Sequence, residues 1–132
     1  MNNWSAISSI RLETCDKRII RVMNAILEIC DCSIICGHRG EQHQNEAFRT
    51  GMSHLQWPDG WHNKTPSMAV DVLPYPIDWN DARRNTLFAG LVLGVAAEQR
   101  VDLTWGGDWN KDWQVKDNNF QDLAHFELTN GG

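Results

Sequence analysis

A carboxylate sits in the middle of the run MAVDV, residues 68–72, which otherwise alternates and is rich in β-branched side chains. That pattern predicts a strand over Met68–Leu73, with Asp71 on the face of Ala69 and with Val70 and Val72 turned the other way. An acid inside such a strand is costly unless an opposite charge or a metal meets it, so the chain must adopt a fold that brings a partner to Asp71. Small Ala69 beside it leaves room for one. His62 precedes the strand across a loop containing Pro66 and can fold back over the carboxylate. An imidazole and a carboxylate together suit zinc, whose nitrogen and oxygen ligands lie about 2.0–2.2 Å away.

The far end of the chain supplies what two ligands lack. In DLAHFEL, Asp122–Leu128, the HFEL part alternates, so His125 and Glu127 share a face while Phe126 and Leu128 enter the core. An offset of three puts Asp122 on the wrong face of a straight strand, so Leu123 and Ala124 must turn if both groups are to reach one site. The set is then His62, Asp71 and His125 as metal ligands, a fourth position for water, and Asp122 to handle protons. Singly, a loop histidine is more often solvated and Asp122 more often a turn acid. The combination points to a metal hydrolase.

With HNKTPSMAVDVLPYPIDW, WGGDWNKDW from Trp105 and the closing DLAHFEL, the chain resembles the zinc peptidases of bacterial cell-wall peptides. These are the D-alanyl-D-alanine carboxypeptidases and L-alanyl-D-glutamate endopeptidases, and the likeness is greatest to their phage endolysin branch. GHRGEQHQN at Gly37–Asn45 and WPDGWHN add to it, so it covers roughly residues 12–128. The better-known members place the first histidine seven residues before the aspartate, where this chain has Lys64; a loop two residues longer brings His62 into register.

The resemblance implies an α+β fold of the hedgehog/D-Ala-D-Ala peptidase type, a small antiparallel sheet flanked by helices with zinc in a surface cleft. It implies hydrolysis of an amide in a peptidoglycan stem peptide, either between L-Ala and D-Glu or at the terminal D-Ala, in phage-driven host cell lysis. It also gives Arg39 the role of steadying the oxyanion; without it, a surface guanidinium in a salt bridge is the simpler reading. Asp122 would take a proton from the attacking water and return it to the leaving amine. A catalytically inactive zinc-bearing binding module on the same fold is the alternative, and retention of Asp122 and Arg39 argues against it. A metal nuclease, suggested by His62-Asn63, is remote.

Composition agrees with one enzyme domain. A chain of 132 residues with 42% hydrophobic content holds one core, so a single domain over residues 1–132 is expected, as a monomer. A net charge of -5 with no basic run argues against nucleic acid as partner. The start, MNNWSAISSIRLETCDKR, lacks a charged end followed by an apolar core, and no stretch reaches the roughly 18 apolar residues of a membrane span. No signal peptide and no membrane insertion are expected, with the protein cytoplasmic until its release to the wall. Cys15, Cys30, Cys32 and Cys36 then read as reduced thiols, because the spacing of the last three with His38 matches no common zinc pattern.

Along the chain, residues 1–11 carry few signals, and the periodicity of Ile19, Ile20, Met23, Ile26 and Leu27 predicts a helix over Thr14–Ile29. Ser33–Cys36 reads as a strand, Glu41–Arg49 as a helix stopped by Gly51, Ala82–Gln99 as a long scaffold helix, and Val101–Trp105 as a strand. Asp78 or Asn80 is suited to cap the long helix, and Gly90 and Gly94 to admit a close neighbour. Gln44 is assigned to the substrate backbone, and Asp108 and Trp109 to the border of the cleft. Trp57 and Trp61 either wall the groove or pack in the core. His54 is a spare imidazole, and Asp117–Gln121 an exposed loop.

Overall fold

In the computed structural model, residues 2–115 and 122–131 are described, so the loop expected over Asp117–Gln121 lies outside them. Four strands, β1 (Cys32–Cys36), β2 (Ala69–Pro74), β3 (Leu103–Gly106) and β4 (Asp122–Leu128), form one antiparallel sheet in the order β1-β2-β4-β3. Four helices accompany it: α1 (Ala6–Glu13), α2 (Lys17–Ile29), α3 (Glu41–Arg49) and α4 (Ala82–Glu98). This is the α+β architecture expected, and no described helix is long and apolar enough to cross a membrane.

Period-two alternation divides the sheet into two faces. Ile34, Val70, Val72, Phe126 and Leu128 point into a core completed by Ile19, Val22, Met23 and Ile26 of α2 and Phe88, Val92 and Ala96 of α4. Ala69, Asp71, His125 and Glu127 are left for the opposite face, where Asp71 pairs directly with His125 and Ala69 with Glu127. The two halves of the sequence signal thus meet because β2 and β4 are neighbours in the sheet, although far apart in the chain.

The helix predicted over Thr14–Ile29 is α2, which starts three residues later at Lys17, and a helix the sequence did not announce, α1, precedes it. Asp16 caps α2 by accepting from the Arg18 N–H at 2.8 Å, and Ser5 caps α1 by accepting from the Ser8 N–H at 3.1 Å. Helix α1 covers the open edge of the sheet: Ser8 Oγ accepts from the Ile34 N–H at 3.0 Å, and Arg11 donates to the Ile34 carbonyl at 3.0 Å. Backbone groups that would otherwise offer an edge for pairing are satisfied by side chains. Helix α4 is capped by Asp81, which accepts from the Arg84 N–H at 3.0 Å, not by Asp78 or Asn80, since Asp78 closes a turn onto the Asn80 N–H. Gly90 and Gly94 are exposed with no neighbour within 4 Å of a Cβ placed on them, so the close approach expected there does not occur.

Strand β4 absorbs the awkward offset of Asp122 without leaving the sheet. Trp105 pairs with Phe126 but Gly106 pairs with Asp122, so the register slips by a bulge on the β4 side. The Trp105 indole donates to the freed Leu123 carbonyl at 2.8 Å. Gly106 is required here, because a Cβ would stand 2.1 Å from the Asp122 carbonyl oxygen. Gly106→Ala is therefore expected to destabilise the fold by about 1–3 kcal/mol and to shift Asp122. Urea unfolding measures the first effect, and an unchanged midpoint would mean that the bulge has slack.

Candidate active site

One cleft of about 310 Å³ is lined by Arg39, Gln44, His54, Trp61, His62, Trp109, Asp122, His125 and Glu127, with Met52 and Leu55 on its wall. At its floor three ligand atoms converge. His62 Nε2 lies 3.2 Å from Asp71 Oδ1, His125 Nδ1 lies 3.1 Å from the same oxygen, and the two nitrogens are 3.2 Å apart. A tetrahedral zinc with bonds of about 2.0–2.1 Å has ligand atoms about 3.3 Å apart, close to this triangle. Among the described residues this is the one group of three histidine, cysteine or acidic side chains arranged to hold a metal ion, and the four thiols are free.

The remaining ring nitrogens are both engaged. His62 Nδ1–H donates to the Gly37 carbonyl at 2.7 Å, and His125 Nε2–H donates to Glu127 Oε1 at 2.7 Å. Each histidine therefore has its lone pair toward Asp71 Oδ1, and three electron-rich atoms meet where only a cation or added protons relieve their repulsion. Partners that orient metal-binding imidazoles in this way are the rule. The donor set, its spacing and its outward-facing N–H groups fit zinc.

The same demand for positive charge governs the titration of these groups. Burial disfavours charge on His62, but the Asp71 carboxylate, with a smaller contribution from Cys36, more than offsets it and pushes the pKa up to about 10. His125 is likewise pushed up to about 9, with burial opposed by hydrogen bonds to Asp71 and Glu127. Burial would raise Asp71, yet the two histidines hold it below the ordinary carboxylate range. With metal removed, the protonated histidines stabilise the fold fully below their ordinary value of 6.5 and progressively less as pH rises towards 9 and 10. Asp71 adds stability above its ordinary 3.8 that is lost in acid. Chelated protein should therefore show a falling Tm between about pH 6.5 and 10; a flat profile would contradict this charge arrangement.

Arg39 is fastened beside the triangle. Its N–H donates to the His62 carbonyl at 2.8 Å, and its own carbonyl accepts from Asn63 Nδ2 at 3.0 Å. Nη2 approaches Asp71 Oδ2 at 3.4 Å and Nη1 donates to Gln44 Oε1 at 3.1 Å, while buried Nε has no hydrogen-bond partner among the described residues. Asp122 lines the same cleft, and its pKa is raised, first by burial and then by the negative charge of Asp71. Trp109 lies with its ring centroid 5.5 Å from that of His125.

Two residues expected to contact substrate are hydrogen-bonded within the protein. Gln44 is only 1% exposed, and its amide donates to Ser53 Oγ and the Leu55 carbonyl while accepting from Arg39 and Asn63. Its hydrogen-bonding capacity is spent within the protein, where it ties Arg39 to the cleft wall. Asp108 is also turned inward. Its carboxylate accepts from the Asp112 and Trp113 N–H groups and does not line the cleft, and it stabilises a turn in which Lys111 and Trp113 have left-handed backbones. The sequence reading gave no role to Glu127, although its place two residues after His125 in an alternating strand was the available signal. Trp61 and His54 line the cleft, whereas Trp57 does not.

The model of the phage L-alanyl-D-glutamate peptidase family matches residues 2–129. Among solved structures, the Serratia marcescens L-Ala D-Glu endopeptidase ChiX is similar, with a TM-score of 0.75 and 26% identity, over 96% of this chain and 89% of its own. No curated protein matches the sequence.

Proposed function

Because this chain belongs to the family of phage L-alanyl-D-glutamate peptidases, we propose that it is a zinc-dependent endopeptidase that cuts the L-Ala–D-Glu amide of peptidoglycan stem peptides during host lysis. Residues 1–132 are read as one such domain, acting once it reaches the wall. The observation that carries the metal reading is the convergence of His62 Nε2, Asp71 Oδ1 and His125 Nδ1 with both ring N–H groups directed away. When bound there, zinc supplies a Lewis acid that polarises a carbonyl and lowers the pKa of a coordinated water towards ~7.

The chain's own residues do the rest. Asp122, in the same cleft, accepts the proton of the attacking water and returns it to the amine that leaves as the C–N bond breaks. Arg39, held by Gln44 and Asp71, offers its guanidinium to the carbonyl oxygen as negative charge develops. Trp109, Trp61, Met52 and Leu55 provide the apolar walls against which a peptide lies, and they limit water around the reacting amide. The inactive binding module lacks a comparable explanation for an acid of raised pKa beside the metal ligands.

The test is digestion of purified peptidoglycan by chelated and by zinc-reloaded protein, with new termini identified by mass spectrometry. A new D-Glu amino terminus that appears only with metal is expected. Free D-Ala would instead assign a carboxypeptidase, and bound zinc without any new terminus would point to the binding module.

A further inference from the structure

The two histidines are anchored differently. His62 is oriented by the Gly37 carbonyl, a neutral group fixed by the path of the backbone, whereas His125 is oriented by the side chain of Glu127. Glu127 reaches it because residues two apart on β4 share a face, and because the residue opposite Glu127 on β2 is Ala69, too small to occupy the space. The contact is short, 2.7 Å, between side chains only 10% and 16% exposed. Trp109 flanks the same imidazole.

We infer that Glu127 is the positioning residue for metal capture. Its carboxylate holds the His125 ring against rotation with Nδ1 toward Asp71, and its negative charge makes that nitrogen a better donor. The inference rests on the proposed metal site and adds a residue to it that does not touch the metal triangle.

The experiment is zinc titration of the full chain against a chromophoric chelator, for wild type, Glu127→Gln and Glu127→Ala, with folding checked by circular dichroism. Glu127→Ala is expected to lower zinc affinity roughly 10–100-fold, and Glu127→Gln, which keeps an acceptor oxygen but no charge, to lower it less. Nitrogen-15 spectra of the zinc-loaded wild type should show His125 protonated at Nε2, and that signature should weaken in Glu127→Ala. If Glu127→Ala unfolds, the glutamine variant decides: unaltered affinity overturns the inference. A change in KM for stem peptide with unchanged zinc affinity also overturns it, by making Glu127 a substrate contact. Wild type that fails to take up zinc would instead remove the metal reading itself, and the inference with it.

Discussion

Asp122→Asn should reduce kcat on stem peptide by about 10²–10⁴-fold while leaving zinc stoichiometry unchanged. Asparagine keeps the size of the side chain and its place on the bulge beside Gly106, so the sheet register should survive. What it loses is the ability to accept and return a proton. Asp122 is not one of the three converging ligands, so metal uptake should persist. Without metal, burial and the Asp71 charge raise its pKa; in the zinc-loaded enzyme the acidic limb that Asp122 gives to the pH–rate profile should vanish in the variant. Single-turnover hydrolysis and metal analysis on the same sample check both halves. Near-normal kcat in Asp122→Asn would end its assignment as the proton-handling group.

Asp71→Ala should have the larger effect on metal affinity, a loss exceeding the ~10–100-fold that removal of an outer partner costs. Asp71 Oδ1 faces both histidines and Oδ2 faces Arg39, so one substitution would remove a proposed ligand together with the acid that His62, His125 and Arg39 share. In chelated protein, the loss of a buried partner for His62 and His125 is expected to cost roughly 3–5 kcal/mol. Calorimetric zinc titration and denaturant unfolding are the measurements. Retention of tight zinc binding by Asp71→Ala would show that the triangle is not the metal site.

Much of the fold was legible because it depends on local periodicity. The alternation of MAVDV and HFEL is realised in β2 and β4, and helix α3 runs over the Glu41–Arg49 segment expected of it. Helix α1 was not legible. Ile7 and Ile10 are exposed, so it lacks the apolar stripe that announces an amphipathic helix, and its role is to satisfy β1 through Ser8 and Arg11. Gln44 illustrates the same limit. On a polar helix it reads as a surface residue, yet loop packing buries it and uses all of its amide.

By itself the sequence determined the chemical inventory of the site, because the face a residue takes in a strand follows from spacing alone: Asp71 with Ala69, and His125 with Glu127. Only the tertiary structure decided that β2 and β4 are adjacent with Asp71 opposite His125, that a bulge accompanies Asp122 at the cleft, and that Asp108 turns away from it. Those outcomes depend on strand register, on backbone approach at Gly106 and on which buried hydrogen bonds can be satisfied. Such constraints arise between segments distant in the chain, and local spacing carries no record of them.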